Sequence, residues 1–205
     1  MLDAPTPDEE LIRQAKQALR ARMRALRAAL PASSLAARSE RIVATLLGLR
    51  EVEGARALAV FQAIPRKHEI QLSGLDAELR RRGKLVYYPF MDPTTDGYRT
   101  GFRRVDDPAT LAERGRGFPE PQRDAPEARR GELDVVVVPA LALSVAGQRI
   151  GWGAGWYDAT LPDVRPPALA IGVALDFQLL GELPSTPRDV PVDYVVTDAR
   201  ASRVG

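Results

Sequence analysis

The chain of 205 residues contains no cysteine, which excludes disulfides, thiolate nucleophiles and every cysteine-bearing zinc or iron–sulfur site. Its one histidine, His68, excludes metal sites built from several imidazoles and leaves a single candidate for a histidine-based dyad. Long apolar runs are missing too: none approaches the roughly 20 residues needed to span a bilayer. The opening MLDAPTPDEE is acidic and carries prolines, unlike a secretory leader. Neither sign of charge is in excess. The 29 basic side chains against 27 acidic ones give a net +2, which argues against a general polyanion binder. What is left for chemistry is carboxylates, hydroxyls, lysine, arginine and backbone amides. With 45% hydrophobic residues the chain can bury a sizeable core, and its length suits one ordinary domain. The expectation is a soluble, cytoplasmic protein, with a flexible tail at 1–8 and a single domain at 9–205.

Ile12, Ala15, Leu19, Met23, Leu26 and Leu30 recur at spacings of three and four, which predicts a helix with this face buried, capped by Asp8 and closed by Pro31. Ser33 or Ser34 would cap a second helix over 35–47, ended by Gly48. The run 55–61 suits a buried strand, 72–82 an amphipathic helix stopped by Gly83, and 85–90 a strand stopped around Pro89. From 92 to 133 the pattern supports only a strand at 98–105 and a short helix at 108–114. The runs 134–143, 168–175 and 194–198 are apolar on both faces, as in central strands of a sheet covered on both sides. Strands alternating with helical stretches predict an α/β fold with a largely parallel sheet.

The sharpest local feature follows the strongest strand: Gly147, Gly151, Gly153 and Gly155 within nine residues, ending in Trp156, Tyr157 and Asp158. Ligands of open α/β sheets bind at the carboxyl ends of strands, so the position suits a site. Glycines there let backbone N–H groups approach an anion, and Arg149 adds a fixed positive charge for phosphate oxygens. The pattern is neither a Walker A loop nor a dinucleotide fingerprint. An ordinary glycine-rich turn is the other reading. Asp158, with Asp189 and Asp193 before the last strand, offers carboxylates of the kind that hold magnesium beside a nucleotide, or else turn-forming caps.

On the first helix Arg13, Lys16, Arg20, Arg24 and Arg27 form a basic stripe beside the apolar one, with no acid between 11 and 30. A solvated face, nucleic-acid binding and phosphate clamping are the three readings, and no interleaved aromatics favour the second. Glu69 follows His68 just past a strand end, and Glu120 sits in the rigid segment Phe118-Pro119-Glu120-Pro121. Each is by itself a surface charge or a loop residue.

Taken in order, Lys16-x-x-Leu19-Arg20, Glu69-Ile70, Gly83-Lys84, the 118–121 segment, the 134–139 strand, the 147–158 loop and Asp189-Val-Pro-Val-Asp193 resemble the 5-formyltetrahydrofolate cyclo-ligase, or 5,10-methenyltetrahydrofolate synthetase, family. The resemblance runs through about 11–198 and is most specific at the glycine loop. It implies a three-layer α/β/α fold with a Rossmann-like, largely parallel sheet (NagB/RpiA/CoA-transferase-like). It also implies a ligase using ATP and magnesium to make 5,10-methenyltetrahydrofolate from 5-formyltetrahydrofolate, with ADP and phosphate released. Phosphorylation of the formyl oxygen and attack by N10 would carry the reaction, which needs no side-chain nucleophile.

By the same resemblance Lys16, Arg20, Arg149, Ile150, Gly151, Trp152, Gly153, Ala154, Gly155, Trp156 and Tyr157 would bind ATP. Arg149 and Tyr157 would be catalytic, Asp158 and Asp189 would hold magnesium, and Glu69, Phe61, Glu120 and Tyr157 would contact the folate. The partners implied are small molecules only, for a monomer binding neither nucleic acid nor membrane. Departures from the family pattern fall at Ala154, Ala159, Ser144 and Leu175. They keep open a diverged ATP-using relative acting on another acyl substrate. The basic helix keeps open a nucleotide- or RNA-binding module without activity.

Overall fold

Helix α1 (Pro7–Ala28) opens with a capping box, in which the Thr6 hydroxyl accepts from the Glu9 N–H at 3.3 Å and the Glu9 carboxylate accepts from the Thr6 N–H at 2.9 Å. Thr6 therefore takes the place expected of Asp8, because Pro7 behind it is preorganised for the first helical position. The structure, a computed structural model, describes residues 6–115 and 117–205, so most of the predicted tail lies outside the described residues. Helix α2 (Ala32–Leu47) follows with Pro31 at its cap and no help from Ser33 or Ser34. The short α3 (Arg50–Gly54) is too brief to leave a periodic signal. Helix α4 spans Ser73–Arg81 and α5 Trp156–Val164. None of the described helices is long and apolar enough to cross a membrane.

The strands are β1 (Ala57–Ala59), β2 (Leu85–Thr94), β3 (Gly97–Arg104), β4 (Ala112–Glu113), β5 (Pro119–Glu120), β6 (Val135–Pro139), β7 (Ala142–Ser144), β8 (Arg149–Ile150), β9 (Leu169–Val173), β10 (Leu179–Leu180), β11 (Tyr194–Val196) and β12 (Ala201–Arg203). Among the described residues the main sheet runs β12-β11-β9-β6-β1-β2-β3. Its inner pairs are parallel, and only the outer strands β12 and β3 are antiparallel to their neighbours. Strand β2 continues through Pro89 to Thr94, past the expected stop. Beyond Tyr87 it has no β1 partner to need the missing N–H, while β3 pairs it along the other side.

The doubly apolar runs are explained by two cores. Val135 and Val137 of β6 join Ile42, Leu46, Leu75 and Leu79 from α2 and α4. Val136 and Val138 point the other way and join Leu161 and Val164 of α5. Each such valine is worth roughly 1.5–3 kcal/mol on burial, so both faces of β6 drive the layering. The result is a mixed α/β fold of three layers around a largely parallel sheet.

Helix α1 stands apart from those cores and packs on a second sheet, β10-β7-β8, where Leu19 and Met23 meet Leu141 and Ile150. Its expected apolar face is packed at Ile12, Leu19, Met23 and Leu30, which are buried or partly buried, but not throughout: Leu26 is 43% exposed and Ala15 is exposed, while Arg27 is buried. The cationic positions 16, 20 and 27 share the packed side, so much of the basic stripe faces protein and not solvent. Arg27 donates to the Ala140 carbonyl at 2.7 Å and to Gln178 Oε1 at 2.8 Å, tying the end of α1 to the sheet edge. Burial lowers its guanidinium to about 10, still charged at neutral pH.

Candidate active site

The carboxyl ends of β1, β2 and β6 open into a cavity of about 380 Å³, into which Phe61, Met91 and Pro139 project. That volume is within the range of small-molecule sites, and the place is the one an open parallel sheet offers. The glycine loop enters from β8. It turns through Gly153 (φ 105°) and Gly155 (φ 66°), and Gly155 is the N-cap of α5. Among the described residues no side chain caps α5, which leaves its first N–H groups to an anion at the cavity.

The cations expected at phosphate converge on this loop from distant segments. Arg20 donates its Nε to the Gly151 carbonyl at 3.0 Å, and its stem lies against Gly153, where a Cβ would stand 3.6 Å from the guanidinium carbon. Lys16 donates to both oxygens of Asp189 at 2.7 and 2.5 Å. Arg149 donates to Asp158 Oδ1 at 2.8 Å, and its own buried Nε has no hydrogen-bond partner among the described residues. A guanidinium with donors to spare beside a glycine loop suits phosphate oxygens.

The two carboxylates are linked. Asp158 Oδ1 also accepts from the Val190 N–H at 3.0 Å, next to Asp189, while Asp189 accepts from the Thr186 N–H and hydroxyl. Burial pushes the Asp189 carboxyl up, but Lys16 and Thr186 outweigh it and hold it below the ordinary aspartate value. No group of three or more histidine, cysteine, aspartate or glutamate side chains placed to hold a metal ion occurs among the described residues. Two carboxylates that leave the remaining positions to phosphate and water fit magnesium. Asp193 is elsewhere: it accepts from Arg165 at 2.6 Å and from the Ala170 N–H at 2.8 Å, at the amino end of β11 and β9.

Glu69 comes to the same cavity from the β1–α4 connection. It is 5% exposed, and Oε2 accepts from the Ile64 N–H at 2.8 Å. Burial raises its carboxyl above the ordinary value, against the pull of the Ile64 amide and of Lys67, Arg27 and Trp152. Burial likewise pushes the Tyr157 hydroxyl up, with the Glu69 charge adding to the effect. Trp156 sits edge-on to both Phe102 and Tyr157 and donates its Nε1 to the Phe90 carbonyl at 3.2 Å, fixing the start of α5. All the residues expected to bind ATP, magnesium or folate line this cavity except Glu120. Glu120 is buried behind it, accepts from the Met91 N–H at 2.8 Å, and faces a small cleft with Arg103, Arg114 and Arg123. Ile64, Lys67 and Met91 line the cavity without any sequence signal, since only the fold brings those loops together.

Replacing Glu69 by glutamine is expected to trade activity for stability. A carboxyl whose folded pKa is raised costs nothing below the ordinary glutamate range, and its penalty is complete above the folded value. Glu69→Gln should therefore melt higher than the parent at neutral pH, with the gap closing in acid, while removal of the charge expected at the folate should cost about 10- to 100-fold in turnover. Melting curves at pH 4 and pH 8 beside an activity assay check both halves.

A family model described as the 5-formyltetrahydrofolate cyclo-ligase family matches residues 12–198. The chain is 43% identical over 94 residues to the 5-formyltetrahydrofolate cyclo-ligase of Mycolicibacterium smegmatis, a match covering 45% of this chain and 48% of that protein. It is 32% identical over 148 residues to the protein of the same name from Escherichia coli K12, covering 71% of this chain and 80% of that one. Among solved structures, Aquifex aeolicus 5,10-methenyltetrahydrofolate synthetase matches with a TM-score of 0.79 and 30% identity over 92% of each chain. On the agreement of sequence, fold and strand-end cavity, the chain belongs to the 5-formyltetrahydrofolate cyclo-ligase family.

Proposed function

We propose that this enzyme converts 5-formyltetrahydrofolate to 5,10-methenyltetrahydrofolate with ATP and magnesium. The terminal phosphoryl group passes to the formyl oxygen and ADP leaves. N10 then attacks the activated formyl carbon, loses its proton, and the former formyl oxygen departs as part of inorganic phosphate. The observation that carries this reading is the composition of one cavity. Cations, a glycine loop and two linked carboxylates meet in it with the apolar Phe61 and the buried acid Glu69. A nucleotide phosphate and a reduced pterin are thereby offered a shared space.

Lys16, Arg20, Arg149 and the stretch 150–157 are assigned to ATP, with Arg149 and Tyr157 nearest the chemistry. Glu69, Phe61 and Tyr157 are assigned to the folate, and Glu120 supports it from behind Met91. Asp158 and Asp189 would hold magnesium, whose contribution is to neutralise charge on the phosphate oxygens. The protein's own part is positioning: cations fixed by Gly151, Asp158 and Asp189 meet the phosphates without having to be gathered. Every residue assigned falls within 9–205, and all but Glu120 line one cavity, which supports a single domain. Purified protein with 5-formyltetrahydrofolate, ATP and magnesium should generate the methenyl product's near-ultraviolet absorbance, and omission of any one should abolish it. A folded, concentrated sample giving no signal would refute the reading.

A further inference from the structure

Seven charged side chains of the described residues line the cavity, and they are unevenly paired. Lys16 is held by Asp189 and Arg149 by Asp158, while Arg20 rests on the Gly151 carbonyl. Lys67 makes no carboxylate ion pair among the described residues, and its ammonium stands over the Trp152 ring, 4.7 Å from the centroid. The turn that carries it is tightly specified. The Lys67 N–H donates to the Ile64 carbonyl at 2.9 Å, closing a 3-10 turn over Pro65–Lys67. His68 then takes φ 49°, a left-handed conformation that a non-glycine residue adopts only where its surroundings impose it. That reversal brings the Glu69 carboxylate back to the Ile64 N–H at 2.8 Å. One turn thus presents a cation and, two residues on, a buried acid to the same cavity.

An ammonium on an indole face is weakly held, whereas a phosphate oxygen is a strong, charge-assisted partner. Trp152 belongs to the glycine loop and Glu69 to the part of the cavity assigned to the pterin, so Lys67 stands between the two. The phosphate nearest the acceptor is the one that transfers. We propose that Lys67 binds the terminal phosphate of the nucleoside triphosphate, completing from the β1–α4 turn a cation set that the glycine loop and α1 only begin. This rests on ATP being the phosphoryl donor.

The test compares the parent protein with Lys67→Met and Lys67→Arg, by calorimetric titration with magnesium-ATP and magnesium-ADP and by turnover. Lys67→Met should bind ATP about 10- to 100-fold more weakly, the loss of one charged contact. Its affinity for ADP should change less than about twofold, and Lys67→Arg should recover most of the ATP affinity. A merely structural role would lower both nucleotides together, and that result overturns the proposal. So does parent-like ATP affinity in Lys67→Met, or a loss confined to 5-formyltetrahydrofolate. Failure of the parent itself to bind magnesium-ATP would instead remove the ATP reading, and this assignment with it.

Discussion

Asp158→Asn is expected to cut turnover by at least about 100-fold while leaving the fold intact, the scale set by removing a single preorganised charge-stabilising group from an active site. The asparagine is chosen over alanine for a structural reason. Asp158 Oδ1 accepts from Arg149 and from the Val190 N–H, and an amide oxygen can keep both bonds. Alanine would strand the Arg149 guanidinium, whose side chain is only 5% exposed, and mix a folding defect with a chemical one. What asparagine removes is the negative charge, the property magnesium requires. The half-saturating magnesium concentration should therefore rise together with the fall in turnover, and the melting temperature should stay within a few degrees of the parent. Parent-like turnover with an unchanged magnesium curve would remove Asp158 from the metal site.

The pairing pattern supports that expectation. Each of the two carboxylates meets one of the cations assigned to phosphate, Asp158 with Arg149 and Asp189 with Lys16. Without a nucleotide these pairs neutralise charges that would otherwise be partly desolvated together. In the proposed magnesium-ATP complex the same four groups would exchange partners, carboxylate to metal and cation to phosphate, with no net change in the charge the protein brings. Such an exchange would cost little reorganisation, because each carboxylate already lies within one hydrogen-bond length of its cation.

How much of this was legible in the sequence follows from what a local pattern can encode. The valines of β6 announced a strand covered on both faces, because burial on both faces is a property of each residue in turn. The glycine loop was legible because left-handed turns strongly favour glycine. On α1 the periodicity found the packed side at Ile12, Leu19 and Met23 but misplaced its edges, since Ala15 and Leu26 are exposed. A helix packed on a small sheet edge buries few side chains, and three of the positions it turns inward are Lys16, Arg20 and Arg27. Asp189 and Asp193 looked alike in sequence, yet only Asp189 reaches the cavity. The chain runs from the carboxyl edge of the sheet to its amino edge between them, and Asp193 is used there to hold Arg165 and the Ala170 N–H. Lys67 gave no signal at all, since its nearness to Trp152 spans 85 positions and exists only after folding.

Gly147→Ala is expected to produce the largest loss of stability of any single methyl added to the glycine loop. Gly147 turns the chain between β7 and β8 with φ 80°, and a Cβ there would stand 2.5 Å from the Val192 carbonyl oxygen and 3.0 Å from Val204 Cγ2. The left-handed conformation costs an L-residue roughly 1–2 kcal/mol. Overpacking adds about 1–3 kcal/mol, and here the obstacle is backbone, which cannot rotate away. A total of about 2–5 kcal/mol is a large share of a stability of order 10 kcal/mol and should lower the melting point by roughly 10 °C. The consequence for function is geometric. The Val192 N–H donates to the Gly147 carbonyl at 2.9 Å, so this contact clamps the turn carrying Arg149 to the segment carrying Asp189. Forcing them apart separates the cation assigned to phosphate from a carboxylate assigned to magnesium, so turnover should fall even at temperatures where the variant is folded. Gly181→Ala, where a Cβ meets nothing within 4 Å, is the matched control and should leave the melting point unchanged. Equal melting points for the two variants would show that the β7–β8 turn can shift freely, and that the site does not depend on its close approach to Val192.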